Sequence, residues 1–248
     1  MNAAPLLEVT GLAKVFRNGV TALHDVNLSV AAGSFLSILG PSGCGKSTLL
    51  RLIADLTPPS AGTIQWSAAR GSIGFVFQEP TLMPWASVWD NVYLPLRLTG
   101  VAKEQARPRI DATLGAVGLD AFADTYPREL SGGMKMRVSI ARALVTEPSL
   151  LLLDEPFAAL DEITRFKLNE DLLKLWQRHH WTVIFVTHSV FESVFLSDRI
   201  VVMTRRPGRI VADVPIALPF PRDEALRTAP DYSAYCRQLS QTLAEASA

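Results

Sequence analysis

The stretch Gly40-Pro41-Ser42-Gly43-Cys44-Gly45-Lys46-Ser47 follows a short apolar segment and precedes one with helical periodicity. A glycine-rich turn in this position lets backbone N–H groups surround phosphate oxygens, and the following helix adds the positive end of its dipole. Lys46 is expected to reach the β- and γ-phosphates, and the Ser47 hydroxyl to bind Mg²⁺. This context disfavours a chance turn. The predicted nucleotide-binding residues are Gly40, Pro41, Ser42, Gly43, Cys44, Gly45, Lys46, Ser47 and Thr48.

A second motif is the carboxylate pair Asp154-Glu155, which follows four consecutive leucines. Such an apolar run is typical of a central strand in a parallel sheet, whose C-terminal end faces the ligand. We therefore expect Asp154 to bind Mg²⁺, and Glu155, pointing the other way, to orient and deprotonate water. An Asp-Glu pair alone is more often a solvated turn, but this one accompanies a phosphate loop.

The order of apolar segments predicts an α/β fold. Short apolar strands alternate with helices, which indicates a mostly parallel sheet covered by helices. The first helix is expected over residues 46–56, ended by Pro58 and Pro59. Residues 84–148 have helical character, so a helical insertion is predicted before the leucine strand. Residues 200–203 and 209–214 are expected to form a hairpin, and a last helix is expected near residues 232–243.

Composition narrows the class of protein. The 248 residues carry 24 positive and 24 negative side chains, with no basic run beyond Arg205-Arg206, which argues against a nucleic-acid binder. Arg205, Arg206 and Arg209 are interpreted as a solvated turn.

Cys44 and Cys236 cannot form a disulfide framework, which fits a reducing, cytosolic compartment. Residues 1–5 show no secretory signal, and no apolar run approaches the roughly 20 residues that span a bilayer.

With Leu130-Ser131-Gly132-Gly133 added, the motif set resembles the nucleotide-binding subunits of ATP-binding-cassette (ABC) transporters, from about Leu6 to about Val214. The resemblance implies a P-loop NTPase core with an N-terminal antiparallel β subdomain and an inserted helical subdomain. The implied division is a nucleotide-binding domain over residues 1–214, with the helical subdomain at about 79–148, and a short tail over 215–248.

The resemblance also implies roles for single residues. Ser131, Gly132 and Gly133 would bind the γ-phosphate of ATP held by the opposite subunit, and a serine-capped helix start suits an anion. Gln78 would sense Mg²⁺ and the attacking water, His188 would contact the γ-phosphate, and Asp161 would communicate across the dimer. Phe16 would stack on adenine; the alternative is a core phenylalanine on an edge strand.

Within the family, the chain is similar to nitrate/sulfonate/taurine-type importer ATPases. Shared stretches include Phe77-Gln78-Glu79-Pro80, Asp154-Glu155-Pro156-Phe157 and Arg206-Pro207-Gly208. Three positions depart from common family residues, and none is a phosphate or metal ligand: Asp55 for Gly, Met136 for Gln and Ser189 for Asp.

The implied partners follow from the same resemblance. They are a second ATPase subunit, expected as a homodimer, membrane permease subunits, and an extracytoplasmic solute-binding protein, with no nucleic acid. The chain would sit at the cytoplasmic face of the inner membrane with ATP and Mg²⁺ bound. Trp85 and Trp89 either pack inside the helical subdomain or line a groove facing the permease, which the resemblance favours. The alternative function is a soluble ABC ATPase acting on nucleic acid or ribosomes.

Overall fold

The computed structural model describes residues 5–67 and 71–247, so residues 1–4 of the segment inspected for a secretory signal lie outside the described part. Its strands are β1 (Pro5–Val15), β2 (Thr21–Ala31), β3 (Phe35–Leu39), β4 (Ala61–Trp66), β5 (Ile73–Val76), β6 (Leu150–Asp154), β7 (Thr182–Thr187), β8 (Arg199–Met203) and β9 (Ile210–Pro215). Its α-helices are α1 (Lys46–Ile53), α2 (Val88–Leu98), α3 (Lys103–Ala116), α4 (Gly132–Leu144), α5 (Glu162–His179), α6 (Val190–Leu196) and α7 (Pro230–Ser247).

The chain divides into two compact units, one formed by Met1–Arg70 with His180–Ala248 and the other by Gly71–His179. In the first unit, strands β7, β3, β8 and β9 are neighbours in that order. Strand β3 pairs in parallel with β7 and β8, while β8 and β9 form the predicted antiparallel hairpin. Every residue of β3 and β7 is buried, because helices α1 and α6 pack against these strands.

The first unit also contains a three-stranded antiparallel sheet in the order β2, β1, β4. Buried and more accessible residues alternate along much of β2, as expected for a sheet with one face packed on a core. The N-terminal antiparallel sheet implied by the family resemblance is therefore present.

The second unit carries the helices expected between the strands. Strands β5 and β6 pair in parallel, from Ile73 opposite Leu150 to Val76 opposite Leu153. Helix α4 packs against β5 and against α2, which in turn packs on α3. The α/β class, with a mostly parallel sheet and an inserted group of helices, is confirmed.

Helix α1 corrects one sequence-based prediction. It ends at Ile53 rather than at residue 56, well before the prolines that were expected to end it. Asp55 adopts a left-handed conformation with φ of 62°, and the N–H of Leu56 donates to the carbonyl of Arg51. A left-handed residue at this position is a common way to end a helix, and Asp takes the place where the family often has Gly.

The segment after β9 forms a buried attachment to the first unit. Arg222 is buried and donates to the carbonyls of Val194, Phe195 and Ser197 at the C-terminal end of α6. Burial lowers the pKa of Arg222 to about 10, partly offset by the charge of Asp198. Helix α7 begins at Pro230, two residues earlier than expected, and packs against α6 and β8.

Candidate nucleotide site

The phosphate loop lies between β3 and α1, as predicted. Lys46 is only 3% exposed, and its Nζ donates to the carbonyls of Gly40 at 2.8 Å and Pro41 at 3.0 Å. A buried ammonium group is unfavourable unless it is hydrogen-bonded. The loop is therefore wrapped around its own lysine, which places a positive charge at the start of the helix.

Gly45 precedes α1 in a backbone conformation with φ of 115°. A Cβ atom built there would lie 2.8 Å from the carbonyl oxygen of Ala22, so both conformation and space require glycine. No side chain among the described residues caps the helix start at Gly45, and the Gly45 carbonyl accepts from the N–H of Leu49 at 2.9 Å. Ser47 and Thr48 lie in the first turn of α1.

Phe16 lies just beyond the end of β1 and is 41% exposed. Its N–H donates to the carbonyl of Val20 at 2.9 Å, and Lys14 Nζ lies 5.6 Å from the ring centroid. The exposure rules out the alternative of a core phenylalanine. A half-exposed ring beside a lysine is suited to stacking on a base.

His188 is exposed in the turn between β7 and α6. The next residue, Ser189, caps α6 by accepting a hydrogen bond from the N–H of Glu192 at 3.3 Å. Thr187 Oγ1 accepts from the N–H of Ser189 at 3.0 Å and donates to the carboxylate of Glu192 at 2.6 Å. Ser189, one of the three departures from common family residues, therefore keeps the capping function that Asp also performs.

In the second unit, Asp154 ends the fully buried strand β6 and is itself 5% exposed. Glu155 follows with φ of 46°, a left-handed conformation that non-glycine residues rarely adopt. Conformations of this kind are concentrated at functional sites, where the surroundings enforce them. The left-handed backbone at Glu155 ends the strand directly after Asp154. The side chains of Asp154 and Glu155 therefore do not follow the alternation of one strand.

Ser131 caps α4, since its Oγ accepts from the N–H of Met134 at 3.3 Å, and both Ser131 and Gly132 are exposed. A Cβ atom on the buried Gly133 would lie 2.8 Å from Cγ2 of Thr164. Glycine here lets α4 approach the start of α5, so the second unit brings the Ser131 segment together with the segment containing Asp161.

Asp161 organises the start of α5. Its Oδ1 accepts from the N–H of Thr164 at 2.9 Å, and this hydrogen bond lowers the pKa of the Asp161 carboxyl. The carboxylate therefore satisfies a free N–H at the start of α5, as capping residues do.

Gln78 is exposed two residues after β5, and the segment that follows it is fixed by residues that sequence reasoning did not identify. Asn91 is fully buried; its amide donates to three carbonyls, including that of Met83 at 3.2 Å, and its oxygen accepts from the Met83 N–H at 2.8 Å. Arg142 donates to the carbonyls of Pro80 and Thr81, both at 2.9 Å. A polar residue on the apolar face of a helical segment was the available signal for Asn91.

The two tryptophans after Gln78 differ in exposure. Trp89 is 5% exposed, and its Nε1 donates to the carboxylate of Asp111 at 3.1 Å. Trp85 is 77% exposed. Trp89 therefore packs inside the helical group, and Trp85 is the one available to a partner.

Comparison with known proteins assigns the family. The family model described as ABC transporter matches residues 23–158. The chain belongs to the ABC transporter family. An ABC transporter ATP-binding protein of Methanocaldococcus jannaschii is 46% identical to it over 245 residues, covering 96% of this chain and 91% of the relative.

Two further relatives of this ABC protein have names that include a solute. The aliphatic sulfonates import ATP-binding protein of Pseudomonas syringae pv. tomato is 47% identical over 207 residues, covering 83% of this chain and 85% of the relative. The nitrate import ATP-binding protein of Synechocystis is 41% identical over 251 residues, covering 96% of this chain and 94% of the relative. The resemblance to importer ATP-binding subunits that the sequence motifs indicated is therefore confirmed.

Solved structures agree with the fold. The dimeric structure of a bacterial ABC transporter cassette matches with a TM-score of 0.76 at 33% identity, covering 86% of this chain and all of that cassette. A post-hydrolysis dimer of the same cassette, bound to ADP and phosphate, matches with a TM-score of 0.75. In the described part of this ABC protein, no helix is long and apolar enough to cross a membrane.

Arg206 adds a contact to the turn at residues 205–209, in which Arg205, Arg206 and Arg209 are exposed as expected. Although Arg206 is exposed, its Nε and Nη2 donate to the carbonyl of Gly43 in the phosphate loop, at 3.3 and 3.1 Å. Sequence reasoning missed this contact because the two residues lie 163 positions apart. The available signal was the stretch Arg206-Pro207-Gly208, already noted as shared with the importer subgroup.

Proposed function

We propose that this chain is the ATP-hydrolysing subunit of an ABC importer for a small solute such as nitrate, a sulfonate, taurine or a related compound. The observation that carries the proposal is the glycine loop wrapped around the buried Lys46 at the start of α1. The names of the sulfonate and nitrate import relatives support the importer assignment and the solute class.

In this proposal, two copies close around ATP. The phosphate loop, Gly40 to Thr48, binds the triphosphate, and Phe16 stacks on the adenine. Ser131, Gly132 and Gly133 of the second copy bind the γ-phosphate at the capped start of α4, where Ser131 and Gly132 are exposed and the helix dipole favours an anion. Asp161 lies in the segment packed beside that helix start and communicates between the copies.

Hydrolysis is assigned to Glu155. Its carboxylate accepts a proton from water as the water oxygen bonds to the γ-phosphorus, and the bond to the bridging oxygen of ADP breaks to release phosphate. Gln78 orients the water, and His188 contacts the γ-phosphate. Phosphate release removes the bridge between the two copies, so the dimer opens.

Mg²⁺ is assigned to Ser47, Asp154 and Gln78, whose hydroxyl, carboxylate and amide oxygens are the hard donors that this ion prefers. No cluster of three or more His, Cys, Asp or Glu side chains suited to a metal occurs in the described residues. When bound, the ion would neutralise charge on the β- and γ-phosphate oxygens.

Coupling to transport is assigned to the helical subdomain, at about residues 79–148 of the proposed domain 1–214. An apolar groove of about 270 Å³ is lined by residues of β5, α2 and α4, among them Phe75 and Leu94, and by Phe77 just after β5. We propose that this groove and Trp85 face membrane permease subunits at the cytoplasmic face of the inner membrane, with an extracytoplasmic solute-binding protein completing the importer. The tail, 215–248, is proposed to act as a structural support for α6.

The alternative of a soluble ABC ATPase acting on nucleic acid or ribosomes is not favoured by these observations. Positive and negative charges balance at 24 each. The relatives whose names include a solute are import proteins.

The proposal is tested by nucleotide binding and turnover of the purified full chain. Lys46→Ala removes the buried charge and should weaken ATP binding strongly, with ATPase activity lost at cellular ATP concentrations. Arg51→Ala, at an exposed position of the same helix, is the matched control and should behave as wild type. Unchanged ATP affinity in Lys46→Ala would refute the loop assignment.

A further inference from the structure

The turn between β8 and β9, residues 204–209, is a small structure closed by its own hydrogen bonds. The N–H of Thr204 donates to the carbonyl of Arg209 at 2.9 Å, and the Thr204 hydroxyl links the Pro207 carbonyl and the Arg209 N–H, both at 3.1 Å. These bonds limit the conformations of the turn. It can therefore serve as a fixed support for whatever it contacts.

Within the first unit, this turn packs beside the phosphate loop. The N–H of Gly208 donates to the carbonyl of Ala22 at 2.9 Å, and the Gly208 carbonyl accepts from the N–H of His24 at 3.1 Å. A Cβ atom on Gly208 would lie 2.3 Å from the carbonyl oxygen of Cys44, so only glycine allows this approach. The contact fixes the turn against the loop and places Arg206 at Gly43.

Within the loop, three carbonyls have local partners. Those of Gly40 and Pro41 accept from Lys46, and that of Gly45 accepts from the N–H of Leu49 at 2.9 Å. The carbonyl of Gly43 instead accepts two N–H groups of the Arg206 guanidinium. One support of the loop thus comes from a distant part of the chain.

The physical consequence concerns the peptide unit between Gly43 and Cys44. In a trans peptide the C=O and the following N–H point in opposite directions, so holding the oxygen fixes the direction of the N–H. Gly43 has φ of 75° and no side chain to restrict it, so this peptide unit depends on its two hydrogen bonds. Its N–H, that of Cys44, donates to the Pro41 carbonyl at 3.3 Å, and its oxygen is held by Arg206. Arg206 also brings a positive charge to a site that receives phosphates.

We propose that Arg206 is a positioning residue for nucleotide binding, which raises the affinity of the phosphate loop for ATP and ADP by fixing the Gly43 carbonyl. The inference rests on the proposed function, because it assumes that residues 40–48 bind nucleotide. It assigns no role to Arg206 in hydrolysis. Affinity should therefore change while turnover at saturating ATP does not.

The test compares three single variants of the purified full chain by calorimetric titration with ADP and Mg²⁺ and by steady-state ATPase kinetics. Arg206→Gln removes the charge and the paired donors, and should weaken ADP binding and raise KM for ATP by about three- to tenfold, as expected for loss of one charge-assisted contact. The kcat should stay within about twofold of wild type. Arg206→Lys keeps the charge without the planar fork and should give an intermediate affinity.

Arg205→Gln is the matched control, because it removes the same charge at the adjacent residue. The backbone N–H of Arg205 donates to the carbonyl of Ala246, and its side chain makes no hydrogen bond or ion pair within residues 5–67 and 71–247. It should bind ADP as wild type does. If Arg205→Gln and Arg206→Gln weakened ADP binding equally, the effect would come only from the loss of positive charge near the site. That result would overturn the positioning role.

Two results separate this inference from the proposed function. Wild-type affinity in Arg206→Gln together with lost affinity in Lys46→Ala would overturn the inference alone. Wild-type affinity in both variants would overturn the proposed function. Gly208→Ala provides a second route, because the added Cβ must push the turn from Cys44, and its ADP affinity should fall at least as far as that of Arg206→Gln.

Discussion

The phosphate loop and the Ser131 segment are both glycine-containing turns that open a helix, yet they are built differently. The loop encloses a buried lysine and is supported by Gly208 and Arg206. The Ser131 segment has a single side-chain cap, and Ser131 and Gly132 are exposed. The phosphate loop is preorganised around the charge of its own lysine, while the Ser131 segment presents an exposed helix start. The difference fits a site in which the loop binds first and the Ser131 segment of a second copy closes on the ligand.

The largest expected effect concerns the step after closure. Glu155→Gln keeps the shape of the side chain and removes the base, so kcat for ATP should fall by at least about a hundredfold. ATP affinity, measured by titration, should stay near the wild-type value because the phosphate loop is intact. Glu104→Gln, at an exposed position in α3, is the control and should keep full activity. Undiminished turnover in Glu155→Gln would show that Glu155 is not the base that accepts the proton from water.

A second variant tests the uncovered segment itself. Aspartate caps helices as well as serine does, so Ser131→Asp should fold normally, but its charge would face the γ-phosphate. ATPase activity should fall by at least about tenfold, since opposed like charges cost several kcal/mol. Binding of ADP to the monomer should be unaffected. Activity close to wild type would show that Ser131 does not meet the γ-phosphate.

The two regions can be compared directly through one glycine in each. Gly45→Ala forces a side chain into a left-handed backbone and within 2.8 Å of the Ala22 carbonyl, so unfolding free energy should fall by about 2 kcal/mol or more. Gly132→Ala meets only Cδ2 of Leu160 at 3.3 Å and lies in a helix, so the change should stay below about 1 kcal/mol. Denaturant titration measures both. Equal losses would contradict the proposed contrast.

The smallest effect on the isolated chain is expected at Trp85. Trp85→Ala removes an exposed side chain and should leave the ATPase activity and stability of the purified chain unchanged. In the assembled importer it should reduce solute uptake or permease association. Trp89→Ala, which removes a buried ring, should instead destabilise the chain by about 3 kcal/mol or more. Normal uptake in Trp85→Ala would exclude this residue from the permease contact.

Sequence alone predicted the parts of the fold that depend on local pattern. The glycine loop between strand and helix, the four leucines of β6 and the β8–β9 hairpin all have strong periodicity or turn signals. The end of α1 was predicted wrongly, because the helix ends at a left-handed Asp55 before it reaches the prolines. An aspartate in this conformation has no strong signal in the sequence.

Long-range contacts set the limit of what the sequence could predict for the candidate site. The exposure of Phe16 and the different environments of Trp85 and Trp89 depend on which elements pack together. The support of Gly43 by Arg206 joins residues 163 positions apart, and no local pattern encodes such a pair.

The central claim is that one triphosphate is bound by the phosphate loop of one copy and by Ser131 of another. The most direct measurement is the molar mass in solution of the Glu155→Gln chain, with and without ATP and Mg²⁺, by light scattering. The claim predicts a monomer without nucleotide, a dimer with ATP, and a monomer again when Ser131→Asp is added. A chain that stays monomeric with ATP, both alone and with its permease, would contradict it.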